Sequence, residues 1–282
     1  MSSNGSSPTT LVIGASGKTG RRVVDRLRAL GRPVRAASRS SEVRFDWNEP
    51  TTWGPALEGA DAAYITYHPD LAFPGAAETV GTLVEKALAA GTRRLVLLSG
   101  RGEEGAEHAE NLLRGSGAEW TVVRCAFFNQ NFGEAFAESI RAGVIAMPGG
   151  DTPEPFLDAD DIADVVTAAL TEDGHVGRLY ELTGPRLLTI AEAAAELSAA
   201  IGRPVRHVPL SPERFAADLI EHGALAEMAV PVSELFEEVL DGRNSYVTDG
   251  VERALGRPAR DFADYARDAA ASGTWGPIEV PA

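Results

Sequence analysis

Three glycines, Gly14, Gly17 and Gly20, fall in the stretch "IGASGKTG", between an apolar run "TTLVIG" and an amphipathic run "RRVVDRLRALG". The stretch has two readings. Its end, Gly17-Lys18-Thr19, resembles the close of a nucleoside-triphosphate phosphate loop, but that loop needs a further glycine five residues before Gly17, and Val12 stands there. The dinucleotide reading needs a strand, a glycine turn and a helix, and all three are present. Gly14 permits the tight turn, Gly17 lets backbone approach a pyrophosphate, and Gly20 lets helix and strand pack closely. Ala15, Ser16, Lys18 and Thr19 complete the loop, whose helix N-terminus points its free N–H groups at the phosphates.

The second strand-like run ends "RAASRSS". A site for NAD places a carboxylate on the ribose about 20 residues past the glycine loop. Here stand Ser38 and Arg39, with Glu42 a little further on. A hydroxyl and a guanidinium suit a 2′-phosphate. The cofactor expected is NADP(H), with NAD possible.

Other residue types exclude chemistries. An alcohol dehydrogenase of the short-chain kind needs Tyr-x-x-x-Lys, with the lysine lowering the tyrosine pKa. Four residues after the five tyrosines, 64, 67, 180, 246 and 265, stand His68, Leu71, Gly184, Gly250 and Ala269. The only lysines are Lys18 and Lys86, so the dyad is absent. The five histidines show no metal-ligand spacing with each other or with Cys125, and no metal is expected. "DADDIADVV" reads as an acidic helix start, with carboxylates on free N–H groups, before it reads as an acid/base pair. Cys125 reads as a core thiol. His108 and Glu110 could supply a proton, but read first as polar residues on a surface helix.

Two clusters keep both a binding and a packing reading. Tyr67 and His68 close a strand at the end where parallel sheets bind ligands. Phe127, Phe128, Asn131 and Phe132 in "CAFFNQNF" follow another strand, and form either an aromatic wall with amides for a planar ligand or a hinge between lobes.

The elements that must position these residues alternate. After "TTLVIG" and "RPVRAAS" come a weaker strand "VRFD", then "DAAYITY", "RRLVLLSG" and "EWTVVRCAF", with helical runs between them. This rhythm predicts βαβ units and a mostly parallel, doubly wound sheet. Past residue 126 it changes: "MPGGDTPEPF" reads as a loop, "DADDIADVVTAALTED" as a helix, "RLYELTG" as a late strand, and 203–266 as short helices. The expected organisation is a tail over 1–9, a nucleotide-binding domain over 10–150, and late elements with a smaller C-terminal substrate lobe over 151–282, bounding a cleft. The 282 residues carry a formal net charge of −15, which repels nucleic acid and anionic membranes. The single cysteine fits a reducing compartment, and no apolar run approaches membrane-spanning length. A cytoplasmic location is expected; oligomeric state is not legible.

"LVIGASGKTGRRVV", "PVRAASR", "FDW", "GTRRLVLLSG", "SGAEWTVVRCAFFNQNF", "FLDADDIADVV" and "LYELTGPRLLTIAEAAAELSAAIGRPV" occur in the order seen in NmrA-like proteins. The chain resembles this family, atypical short-chain dehydrogenase/reductase relatives that include NAD(P)H:quinone oxidoreductases, over nearly its whole length. The resemblance implies an α/β extended Rossmann fold binding NADP(H). By matching motif it implies Asp46 and Trp47 beside the adenine, Thr66 and Tyr67 near the nicotinamide ribose, and Ser99 as the hydroxyl ending the fifth strand. Tyr67 and Ser99 are then the catalytic candidates, with His68, Phe127, Phe128, Asn131 and Phe132 toward substrate. It further implies an NADPH-dependent reductase of a quinone or planar aromatic carbonyl compound, with aromatic polyketide intermediates as candidates. The alternative is a redox sensor that binds NADP(H) without turnover and acts through a protein partner.

Overall fold

The computed structural model describes residues 8–276, so most of the expected tail lies outside the described residues. The chain forms two compact units, each assembled from three stretches. The first runs through Cys125 and takes in Ala159–Leu182 and Gly250–Arg257; the second holds Ala126–Asp158, Thr183–Asp249 and the chain from Pro258 onward. A single cut at 150 does not describe this division, because the strand and helices after Asp158 return to the first unit.

Seven strands form the sheet of the first unit: β1 (Thr10–Ile13), β2 (Val34–Ser38), β3 (Val43–Arg44), β4 (Ala62–Ile65), β5 (Arg94–Gly100), β6 (Glu119–Cys125) and, after β7 of the other unit (Val144–Met147), β8 (Arg178–Leu182). Their order is β3-β2-β1-β4-β5-β6-β8, and every pairing is parallel. The weak run "VRFD" supplies only the two residues of β3. The buried strands are apolar on both sides, as a sheet covered on both faces requires. Leu11, Ile13, Ala63, Ile65, Leu95 and Leu97 face Val80, Leu83, Val84, Ala106, Ala109 and Leu113 of the helices Ala76–Ala89 and Glu104–Gly115. Helices Lys18–Ala29 and Ala159–Thr171 pack against each other, and Tyr64 of β4 reaches Thr19 at the start of the former.

Ion pairs tie those two helices together. Arg22 and Arg26 bond to Asp160, Arg26 also to Asp164, and Arg257 to Asp161 and Asp164. The carboxylates of "DADDIADVV" at 160, 161 and 164 are therefore spent on arginines, and no acid/base pair forms there.

The second unit contains a two-stranded parallel sheet of β7 and β9 (Arg206–Pro209), helices Ile190–Ile201, Pro212–Glu221, Ala226–Val239 and Phe262–Ala271, and short turns of helix at Gln130–Gly133 and Ala137–Arg141. Neither strand was expected from the sequence. Its core is aromatic, with Phe132, Phe136, Phe156, Phe215, Phe262 and Trp275 all buried.

Candidate active site

Ligands bind parallel α/β sheets outside the carboxyl ends of the strands, where the strand order reverses. Here the reversal lies between β1 and β4, which flank the glycine loop. Gly14 has φ +72°, and a Cβ there would stand 2.2 Å from Thr66 Oγ1. A Cβ on Gly20 would lie 2.1 Å from the Gly14 carbonyl oxygen, so only glycine lets the helix start this close to the turn. Gly17 is the helix N-cap; its Cβ would meet the same oxygen at 3.2 Å and nothing closer, a tight but survivable contact. The loop thus separates two glycines that the fold needs from one that it nearly tolerates losing.

The first turn of helix Lys18–Ala29 carries no acidic residue and no side-chain cap. Helix Ala159–Thr171, by contrast, opens with Asp160 and Asp161. One helix start carries its own anions, and the other, with no acidic residue or side-chain cap, has a dipole that favours an outside one. This fits a pyrophosphate. Two loop residues have narrower parts than expected. The Ala15 N–H is taken by the Ala37 carbonyl at 3.1 Å, and the Thr19 hydroxyl accepts from the buried Tyr64 phenol at 2.9 Å. Both shape the loop from inside, while Ser16 is exposed at the turn.

At the end of β2, Ser38 is buried and its Oγ shares a 2.6 Å hydrogen bond with Ser41 Oγ. Arg39 is exposed and has no hydrogen bond or ion pair among the described residues. The β3 end is held by its backbone: Asp46 Oδ1 accepts from the Asn48 N–H, and the Asp46 carbonyl accepts from Trp53 Nε1. Trp47 Nε1 donates to the Thr66 carbonyl at 3.0 Å, and its ring meets Tyr67 at 4.8 Å between centroids.

Trp47 and Tyr67, expected at the adenine and at the nicotinamide ribose respectively, thus pack on each other. His68 lies with them: burial lowers its pKa first, the nearby Arg39 lowers it further, and Asp46 opposes. His68 thus lies within the fields of Arg39 and Asp46. Thr66 is a fastener, since its Oγ1 donates to the Ile13 carbonyl at 3.1 Å.

Ser99, near the end of β5, is buried, and its Oγ donates to Glu110 Oε1 at 2.6 Å. Glu110 also accepts from Arg124 Nε at 2.9 Å and Nη2 at 2.6 Å. Ser99 and Arg124 are register partners on β5 and β6, so the helix above them drops one carboxylate onto both. Glu110 is 1 % exposed, and it is no surface residue. The bond to Glu110, ahead of opposing burial, raises the Arg124 pKa. Beside this pair, Arg101 bonds Glu181 at 2.9 Å. With its proton committed to Glu110, Ser99 can accept a hydrogen bond but has none to give. His108 is exposed, 3.5 Å from Glu78. Cys125 is buried, and burial, reinforced by Glu103, pushes its thiol pKa up.

In the second unit, Phe127 and Phe128 are half-buried, and Phe127 packs edge-on to Phe156 and Phe236. Phe132 is fully enclosed among Phe127, Phe136, Phe156 and Phe262. It is a core ring, not a substrate contact. Asn131 is half-buried.

A family model described as NAD(P)H-binding matches residues 14–173, and one described as the NmrA-like family matches residues 106–265. The chain belongs to the NmrA-like family of NAD(P)H-binding proteins. An NAD(P)H azoreductase of Xenophilus azovorans is 34 % identical over 93 % of this chain and 98 % of its own. A (4-alkanoyl-5-oxo-2,5-dihydrofuran-3-yl)methyl phosphate reductase of Streptomyces griseus is 34 % identical over 92 % and 96 %. In fold, the chain is similar to an NADPH-dependent quinone oxidoreductase of Escherichia coli crystallised with NADPH, with TM-score 0.78 and 22 % identity over 92 % and 99 %.

For an NmrA-like chain the buried Glu110 was the least visible feature, although a signal existed. Ala106, Ala109, Glu110 and Leu113 share one buried helical stripe, and a carboxylate on such a stripe requires a partner. Among the described residues no group of three or more His, Cys, Asp or Glu could hold a metal ion, and no helix is long and apolar enough to cross a membrane.

Proposed function

We propose that this chain, an NAD(P)H-dependent oxidoreductase, uses NADPH to reduce a quinone or a planar aromatic carbonyl compound. When bound, NADPH supplies hydride. The chain's own part is to hold it: the loop from Gly14 to Gly20 takes the pyrophosphate, Arg39 with Ser38 takes the 2′-phosphate, and Asp46, Trp47 and Tyr67 take the adenosine end. The unpaired Arg39 supports NADPH over NADH, because a phosphate can engage it without first breaking an ion pair.

The carrying observation is that the residues that usually give a proton in such folds are missing or engaged. The Tyr-x-x-x-Lys dyad is missing, Tyr64 is buried and donates to Thr19, and the Ser99 proton is held by Glu110. An ordinary ketone needs a proton as hydride arrives. A quinone does not, because its reduced form is a stabilised anion that can take a proton from water afterward. Such an acceptor needs orientation and exclusion of water, which Phe127, Phe128 and Asn131 are proposed to provide. Aromatic polyketide intermediates fall within this class, and the buried thiol and NADPH use suit the cytoplasm.

The test mixes the protein with NADPH and a panel of benzoquinones, naphthoquinones, azo dyes and simple ketones, and follows loss of nicotinamide absorbance. Turnover of quinones without ketones is expected. Tight NADPH binding with no acceptor reduced would overturn the enzymatic reading in favour of a sensor.

A further inference from the structure

Two side chains that carry, or can carry, a positive charge converge in the first unit without a partner. Arg39 and His68 are both exposed, and neither side chain has a hydrogen bond or ion pair among the described residues. Arg39 directly follows β2 and His68 comes three residues past β4, on the two sides of β1 and its glycine loop. Trp47 draws the chain after β4 toward the β2 and β3 side: its Nε1 donates to the Thr66 carbonyl at 3.0 Å, and its ring packs on Tyr67 at 4.8 Å. His68 is the next residue, and it lies within the field of Arg39. Asp46, past β3, acts on it in the opposite sense, with Oδ1 already accepting from the Asn48 N–H at 3.0 Å. The next carboxyl along its own segment, Asp70, accepts from the Ala72 N–H at 2.9 Å. The chain has 41 Asp and Glu against 26 Lys and Arg. Carboxylates are therefore plentiful, and an arginine left beside a protonatable ring fits an anion from outside.

We propose that His68 is a specificity-determining residue for the 2′-phosphate, a second cation beside Arg39 that takes up a proton when the phosphate binds, so that preference for NADP(H) over NAD(H) grows as pH falls. The proposal rests on the reading of Arg39 as the 2′-phosphate residue. In the free protein desolvation and the Arg39 charge both favour the neutral imidazole. A bound phosphate reverses the sign of the charge beside Arg39. The ring then gains an opposite charge for a neighbour and takes a proton from solvent, and its N–H donates to a phosphate oxygen. NAD(H) carries no such phosphate and leaves the ring neutral. By linkage, a group that binds a proton along with the ligand makes affinity rise as pH falls.

The experiment measures binding of NADP⁺ and NAD⁺ at about pH 6 and about pH 9, on either side of the histidine range. Wild type is compared with His68→Asn, which cannot charge, His68→Lys, which is charged at both values, and Arg39→Ala. The phosphate also titrates near pH 6, but it does so equally for every variant. Relative to wild type, His68→Asn should bind NADP⁺ equally at pH 9 and about tenfold more weakly at pH 6, the value of one charge-assisted bond. NAD⁺ should be unaffected at both. His68→Lys should bind NADP⁺ about tenfold more tightly than wild type at pH 9 and match it at pH 6. A His68→Asn to wild-type ratio for NADP⁺ that is the same at both pH values would overturn the proposal. So would a loss shared equally by NAD⁺, or unchanged cofactor binding with a raised quinone KM, which would turn His68 toward the substrate. Arg39→Ala separates the two layers. If it weakens NADP⁺ selectively while His68→Asn shows no pH dependence, only the role of His68 fails. If it weakens both cofactors equally, the 2′-phosphate reading of Arg39 fails and takes this inference with it.

Discussion

Ser99 Oγ and Glu110 Oε1 lie 2.6 Å apart, and the same oxygen also accepts from Arg124. This pairing turns the serine from a proton donor into an acceptor. Ser99→Ala should lower quinone turnover less than tenfold and cost about 1 kcal/mol of stability, the value of one hydrogen bond. A loss of 10²-fold or more, the range of general acid catalysis, would return Ser99 to the catalytic role. Glu110→Ala should be more damaging, at about 1.5–3 kcal/mol, because it removes the charge-assisted bonds to Arg124 and leaves that guanidinium only the longer contacts to Glu107 and Glu181. Denaturant titration of the two variants checks the contrast.

The loop glycines should separate binding from folding. Gly20→Ala drives a Cβ into the Gly14 carbonyl and should cost about 1–3 kcal/mol along with cofactor binding. Gly17→Val has room enough to fold, yet blocks the approach of a pyrophosphate. It should melt near wild type and fail to bind NADPH. Mg²⁺-dependent ATP binding as strong as NADPH binding would contradict the dinucleotide reading of the loop.

Arg39→Ala should leave stability within about 0.5 kcal/mol, as the side chain is exposed and carries no ion pair. NADPH affinity should drop one to two decades, the equivalent of about 1.5–3 kcal/mol for a charge-assisted bond. NADH affinity should hold. Equal weakening of the two cofactors would remove the basis for choosing NADPH.

Asp160 sets a pH dependence. Burial pushes its pKa up, but the Arg26 and Arg22 guanidiniums outweigh burial and hold it below the usual carboxylate range. A carboxyl with a depressed folded pKa adds stability above its unfolded pKa and loses that contribution as pH falls through the folded value. Asp160→Asn should therefore cost about 0.5–1 kcal/mol at pH 7, the partly exposed pair being screened. The cost should vanish in acid below the carboxylate range. A difference independent of pH would show that packing, not charge, joins the two helices.

The seven-stranded sheet was legible because its strands are short apolar runs separated by amphipathic helices, and the glycine loop because its spacing has a steric cause. β7 and β9 were not. Val144–Met147 is apolar at every position, so its alternating burial has no polar counterpart in the sequence, and Arg206–Pro209 has exposed ends and a proline. The strand pattern put Arg39 and Trp47 past the ends of β2 and β3, and Ser99 near the end of β5, as the structure has them. What these residues do there depended on partners distant in sequence, namely Tyr67 for Trp47 and Glu110 for Ser99.

Assembly of the first unit from three stretches of chain has a consequence during synthesis. When Cys125 has left the ribosome, β6 has a neighbour in β5 but none on its other edge, and Ala159–Thr171 does not yet cover its helix partner. Both wait until Arg178–Leu182 has been made. For that interval the nascent chain presents an open strand edge and bare apolar surface, the features that draw chains into aggregates. A fragment ended near residue 150 would hold that state permanently, and it should be insoluble where the whole chain is not.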